Sequence, residues 1–405
     1  MERLQGLAQQ LSSNSPLQVC LLAASNGSHY NAAVIGSNPN VKVNLLTRRP
    51  EIFSTKVVKG VYEADKSVIE GKLNIVSSNP SDVCKGTKVY IVSSPVNVQE
   101  ELLRSIKPFV EPGSIIGSVY GQGGFDLIAE HVFGQDIKNK NLCIFALFNI
   151  PSTCKVVVPG KEVVIIGPKK YLSVATNPKN RVAEVQTILS ELWRVPVRKT
   201  DNFLNILMTP GNQIIHTGRL LGLYDNKAPH PLKEIPFFYT SLNQLSADNM
   251  DKLSEEIQDI KRAILKRHPN FKLDDVIPMK DRIIAQYGDQ VKDTTNMYTV
   301  FTTNTGYRVM TIPMVPTKDG QYELNTKART FVEDIPFGLV VLKDLAEKVE
   351  VDVPFITKCI EWHQKLMGKE FVKNGRLNKA LLHETGAPTR YGFITIDQLI
   401  AHYSK

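Results

Sequence analysis

The chain reads as a doubly wound α/β domain followed by an all-helical domain. Three observations carry that reading: short β-branched runs alternate with helical stretches in the first half, helical periodicity takes over near residue 181, and the chain is 405 residues long. The first is the pattern of βαβ units stacking a parallel sheet. The second marks a new architecture, because apolar residues then recur at i, i+3 and i+4. The third exceeds what one hydrophobic core usually supports, so two cores are expected, over residues 1–200 and 201–405.

Residues 17–23 (LQVCLLA) form a continuous apolar run that reads as the first strand, Asn26 and Gly27 as a turn, and 28–37 as a helix. Strands are expected at 41–46, 88–93 and 114–119, with an amphipathic helix at 96–107. Residues 56–77 alternate apolar and polar side chains without room for a full helix, which predicts a hairpin-like insertion. Residues 141–147 and 153–166 add strand-like runs, the second turning at Pro159-Gly160, for a sheet of about seven or more strands. The stretches 182–193, 247–266, 339–349 and 353–367 carry the helical period. The first dozen residues read as a small extension ahead of the first strand.

Composition excludes several classes. Hydrophobic residues make up 42% and charged ones 22%, and no apolar run reaches the roughly 18 residues of a membrane span. Cys20, Cys84, Cys143, Cys154 and Cys359 are odd in number, widely spaced and mostly set in apolar stretches, unlike a disulfide framework. The segment MERLQGLAQQLSSNSP lacks the apolar core of a signal peptide, so reduced thiols and a cytoplasmic location are expected. The formal charge of +9 comes from scattered residues, and the densest pair, Lys169 and Lys170, has no interleaved aromatics. That favours small anions over nucleic acid as partners.

A dinucleotide-binding fold of the Rossmann type needs a tight strand-to-helix turn of small residues, so that backbone N–H groups reach the pyrophosphate. Ala23-Ala24-Ser25-Asn26-Gly27-Ser28-His29 stands in that place, yet it offers Ala23, Ser25 and Ser28 against G-x-G-x-x-G. Each side chain adds a Cβ where phosphate should approach, and only Gly27 keeps the freedom for positive φ. Taken alone, the segment reads equally as a strand-turn-helix without a cofactor. The second strand ends in Thr47-Arg48-Arg49-Pro50, with no acid to hold a ribose. Those arginines could stack on adenine, pair with a 2′-phosphate, or be solvated loop charges.

In the second half, Gly211-Asn212-Gln213-Ile214-Ile215-His216-Thr217-Gly218-Arg219 and Arg329-Thr330-Phe331-Val332-Glu333-Asp334-Ile335-Pro336-Phe337-Gly338 each set a titratable group in an apolar context. A histidine shuttles a proton near neutral pH, and a carboxylate beside it would fix its tautomer. Carbonyl reduction by hydride needs such a donor. The plainer alternatives are a core histidine and, for Asp334, a helix cap before Ile335-Pro336.

At these segments the chain resembles the opine dehydrogenase family, the invertebrate octopine, tauropine, alanopine and strombine dehydrogenases in particular, over nearly its whole length. The resemblance also rests on Asn26-Gly27-Ser28-His29, Gly121-Gln122-Gly123-Gly124-Phe125, Ile150-Pro151-Ser152-Thr153-Cys154-Lys155 and Pro236-Phe237-Phe238-Tyr239. It continues through Thr302-Thr303-Asn304 with Tyr307, Gly368-Lys369-Glu370-Phe371, and Pro388-Thr389-Arg390-Tyr391-Gly392-Phe393. It implies a reductive condensation: an amino acid's amine adds to pyruvate, NADH (NADPH as the lesser choice) reduces the imine, and an N-carboxyethyl amino acid leaves. Partners would be small molecules, with no nucleic acid or membrane, acting on a monomer or dimer.

Carried over by position, the resemblance makes His216 the general acid/base and Asp334 its orienting partner. Arg329 would clamp a substrate carboxylate, Gln122 would hold the pyruvate end, and Asn149 and Cys154 would bind substrate. Ala24, Ser25, Asn26, Gly27, Ser28, Thr47, Arg48 and Pro95 would hold the cofactor. The chain departs from the family at Ala23-Ala24-Ser25, at Asn149 for a threonine, and at Ser152 for a tryptophan. Phe148 stands where octopine dehydrogenase has an acid to balance a guanidinium, which points to glycine, alanine or taurine rather than arginine as the amine. Two alternatives stay open. One is a non-catalytic homologue with weakened or lost nucleotide binding. The other is a related enzyme of 2-oxo acids or polyol phosphates, against which Arg329 five residues ahead of Asp334 counts.

Overall fold

Eleven strands of one sheet organise the first half of the chain in a computed structural model that describes residues 16–307 and 310–404. The extension expected ahead of the first strand lies outside the described residues. In chain order the strands are β1 (Leu17–Leu22), β2 (Val41–Leu46), β3 (Val57–Tyr62), β4 (Val68–Ser77), β5 (Val89–Val92) and β6 (Ile115–Ser118). They continue with β7 (Cys143–Leu147), β8 (Ser152–Val158), β9 (Glu162–Pro168), β10 (Leu172–Asn177) and β11 (Val197–Lys199). Across the sheet they run β11-β10-β7-β6-β5-β1-β2-β4-β3-β9-β8. The chain divides into two units, one of residues up to Gly121 with Phe125–Ile206, the other of Gln122–Gly124 with Leu207–Ser404.

β1 pairs in parallel with β2 on one side and β5 on the other, and β5, β6 and β7 continue in parallel. The winding therefore reverses at β1 and β5, and in such sheets ligands bind beyond the C-terminal ends of the strands flanking that point. The loops there are residues 23–25 and 93–95. Helix α1 (Asn26–Gly36) leaves the first of them. It starts two residues earlier than the turn residues suggested, because Ser25 caps it: the Ser25 Oγ accepts the Ser28 N–H at 3.2 Å.

Ser28 through Ile35 are all buried, so α1 is covered on every side. The antiparallel hairpins β3-β4 and β8-β9, joined by parallel pairing of β3 with β9, supply much of that cover. Gly71 explains the close fit, since a Cβ there would overlap the Ala32 carbonyl. Helices α2 (Gln99–Ile106), α3 (Phe125–Phe133) and α4 (Val182–Trp193) are the longer remaining helices of this unit.

The second unit contains α5 (Asn212–Leu223) and α6 (Gln244–Arg267). Gly218 and Gly222 bring α5 against α6, where a Cβ on Gly222 would come within 2.5 Å of the Ser246 Cα. The helix expected at 339–349 begins nine residues earlier, as a π-helical segment over Thr330–Leu339 that runs into α7 (Val340–Lys348). Pro336 has no N–H, so the regular ladder cannot close through it, and the Val340 N–H reaches back to the Ile335 carbonyl. Asp334 is therefore inside this segment and not a cap. Helix α8 (Pro354–Met367) packs on it, and two short antiparallel ribbons, 314–316 with 322–324 and 372–373 with 376–377, punctuate the helical unit. Among the described residues, no helix is long and apolar enough to cross a membrane.

Candidate active site

His216 lies just over one turn into α5, and its Nδ1–H donates to the Asp334 Oδ2 at 2.7 Å. The Asp334 side chain is 1% exposed and that of His216 18%, so the carboxylate is sealed while the ring still has an open edge. The spacing between the two elements is set close by: a Cβ on Gly338 would overlap the Gln213 side chain, so only glycine lets the π-helical segment come this near to α5. With Nδ1 committed to the carboxylate, Nε2 is the nitrogen left to exchange a proton. Phe238 meets the His216 ring edge-on at 4.9 Å, and Tyr239 stacks on Tyr307 at 4.1 Å behind it.

Three buried side chains hold this arrangement from behind. Arg219, on α5, donates through Nε to the Phe238 carbonyl at 3.1 Å and through Nη2 to the Ser241 carbonyl at 3.0 Å, which places the Phe238 ring. Arg282 donates to the carbonyls of Thr209 and Pro210, at the head of α5. His363 donates from Nδ1 to the Cys359 carbonyl at 2.8 Å, leaving its buried Nε2 without a partner among the described residues. Burial lowers His363 to a pKa of about 4, although the nearby Asp334 charge pulls the other way. The role of Arg219 and the presence of His363 at the pair were not visible in the sequence, because both sit in ordinary helical periodicity.

Gln122, expected to hold a substrate, spends its amide on the protein. Its Nε2 donates to the Thr209 carbonyl at 2.7 Å and its Oε1 accepts the Gly211 N–H at 3.1 Å. It thus clamps the turn that caps α5. Arg329 is half exposed and its Nε donates to the fully buried Glu333 carboxylate at 2.5 Å. Gln122, Arg329, His216 and Asp334 share the second unit.

The other predicted residues belong to the first unit. Ala23 takes the left-handed conformation at φ 75°, while Gly27, the residue expected to need that freedom, lies in the first turn of α1. Ala23 therefore makes the turn at a steric cost that glycine would avoid, of about 1 kcal/mol. Ser25 Oγ donates to the Ser93 carbonyl at 2.5 Å, joining the loops after β1 and β5, and Asn26 is exposed at the helix N-terminus. A Cβ on Gly27 would meet nothing closer than 3.6 Å, and with the Ser28 and His29 N–H groups taken by Ser25, those of Asn26 and Gly27 head the helix axis. The site fits an anionic diphosphate.

Ala24 flanks the turn, and Pro95 caps the short helical turn after β5. Thr47 is buried at the end of β2, and Arg48 is an exposed neighbour 3.3 Å from the equally exposed Glu101, a contact worth little energetically. Cys154, on β8, sits beside the phosphate turn with its Sγ donating to the Asn26 carbonyl at 3.4 Å, and Asn149 is half-buried just after β7. Burial raises the Cys154 thiol to about 12, so it is a neutral donor.

A doubly wound sheet with a tight turn leading into a helix at its switch point, and a helical unit carrying a buried His–Asp pair, are features that a nicotinamide-dependent dehydrogenase uses. Residues 199–367 match the family described as NAD/NADP octopine/nopaline dehydrogenase, alpha-helical domain. The chain is 29% identical over 400 residues to tauropine dehydrogenase of Arabella iricolor, covering 95% of this chain and 99% of that protein. It is 26% identical over 397 residues to octopine dehydrogenase of Pecten maximus, covering 95% and 98%. A solved structure of octopine dehydrogenase in complex with NADH and agmatine shares its fold at a TM-score of 0.82, with 24% identity and coverage of 95% and 98%. Residues 199–367 thus carry the helical domain of octopine/nopaline dehydrogenases, and over nearly its whole length the chain is similar to opine dehydrogenases, NAD(H)-dependent oxidoreductases that act on a CH–NH bond.

Proposed function

We propose that the chain catalyses the NADH-dependent reductive condensation of pyruvate with glycine, alanine or taurine to an N-carboxyethyl product. The observation that carries the reading is the 2.7 Å bond between His216 and the sealed Asp334 carboxylate. His216 takes a proton from the ammonium so that its nitrogen can attack the pyruvate carbonyl, and returns it to the departing hydroxyl as water. Asp334 keeps the ring in one tautomer and stabilises the transient imidazolium. Bound NADH supplies the hydride that reduces the resulting C=N bond. The half-exposed Arg329 guanidinium takes a substrate carboxylate, and Gln122 acts on substrate through the turn it clamps. Asn149 lines the substrate, Phe148 disfavours arginine, and a cytoplasmic setting suits the five free thiols.

The test follows NADH oxidation by absorbance, with pyruvate fixed and glycine, alanine, taurine and arginine offered in turn, beside a His216→Ala control. Oxidation should require an amine, be fastest with one of the first three, and fall at least about a hundredfold in the control. Bound NADH with no oxidation under any amine would sink the proposal.

A further inference from the structure

We propose that His29 is a positioning residue for the nucleotide: it ties the Pro159-Gly160 turn to the Ser25 carbonyl and so fixes the peptide that heads the phosphate site. The inference rests on reading residues 23–28 as the nucleotide turn. His29 is 2% exposed and both ring nitrogens are used. Nδ1–H donates to the Ser25 carbonyl at 2.7 Å, alongside the His29 backbone N–H at 3.1 Å, and Nε2 accepts the Gly160 N–H at 2.8 Å. Only the neutral Nδ1–H tautomer satisfies both bonds, so the ring has one orientation.

The far end of this link is itself immobilised. Gly160 has φ 75° and packs so closely that a Cβ would overlap the carbonyl of Ile52, in the short helical turn Pro50–Phe53, and Phe53 of that turn tilts over the His29 ring at 5.1 Å. A second tie runs in parallel, the Val156 N–H donating to the Asn26 Oδ1 at 2.9 Å. Because the Ser25–Asn26 peptide is planar, holding the Ser25 carbonyl along the helix aims the Asn26 N–H the opposite way, out of the N-terminus where an anion binds. A glycine-rich turn finds this geometry through backbone freedom. Here Ala23 and Ser25 occupy those positions, and the β8-β9 hairpin holds the turn through His29.

The experiment titrates NADH by fluorescence into wild type, His29→Leu and His29→Gln, with melting temperatures and the pyruvate KM at saturating NADH measured in parallel. His29→Leu should weaken NADH binding about tenfold, as expected for losing a fixed hydrogen-bonded link. The pyruvate KM should stay within about twofold. His29→Gln, whose amide can donate and accept, should recover most of the affinity. A His29→Leu protein that melts lower yet binds NADH as tightly as wild type would overturn the inference. Should that variant not fold, His29→Asn keeps a donor near Nδ1 and loses the Gly160 bond; weaker binding supports the inference and unchanged binding rejects it. Wild type that binds no NADH would instead remove the reading of the turn as a nucleotide site, and the inference with it.

Discussion

Of the two oxygens of Asp334, Oδ2 meets the His216 Nδ1–H, while Oδ1 is buried without a donor among the described residues. His363 is near enough to feel the Asp334 charge and is held neutral by burial, with a folded pKa of about 4 against 6.5 for a free histidine. The folded state thus binds fewer protons than the unfolded one. The stabilisation is complete above pH 6.5 and is lost as pH falls from there through about 4, the loss reaching about 2–3 kcal/mol at pH 4.5. Urea melts of wild type and His363→Leu at pH 7 and 4.5 check this: wild type should lose stability faster on acidification, and parallel losses in both would refute it. In the sequence, His216 and Asp334 were each visible as a titratable group in apolar surroundings. Their pairing was not, because 118 residues separate them and only packing decides which carboxylate a histidine meets. His29 was likewise visible as part of a motif, while its partner at Gly160 was not.

Strands and helices followed from period and residue type wherever one face or both were buried, as in β1, β2 and α4. Boundaries shifted where side-chain chemistry overrode period. Ser25 starts α1 earlier than its turn residues suggest, and Pro336 stretches the approach to α7 into a π-helical segment. The hairpin over 56–77 was legible from alternation, but its wrapping of α1 was not, since that depends on Gly71 sitting over the helix backbone and Gly60 over the Ala33 side chain. Gly71→Ala should therefore cost about 3 kcal/mol, at the upper end for overpacking a close-packed contact. Thermal melts check it, and an unchanged midpoint would show that β4 can move away from α1 without loss.

At the scale of the whole molecule, each of the two units has its own buried core, so a ligand of one unit is felt first in that unit's unfolding. NADH at about a hundred times its Kd should stabilise the sheet unit by about 2.7 kcal/mol. Scanning calorimetry should show the corresponding transition moving upward, and no movement under saturating NADH would contradict a nucleotide site there. The net charge of +9 acts at this scale too, favouring the approach of anionic substrates and cofactor at low ionic strength.

The 131-residue separation between His29 and Gly160 also sets an order of events during synthesis. Helix α1 leaves the ribosome long before the strands β8 and β9 that cover it, and at about 5–20 residues per second that delay lasts several seconds or more. During that interval the phosphate turn has no hairpin to lean on. If the turn is the nucleotide site proposed above, competence to bind nucleotide is acquired late in the making of the sheet unit, and a nascent chain stopped short of residue 160 carries every residue of the turn without its brace.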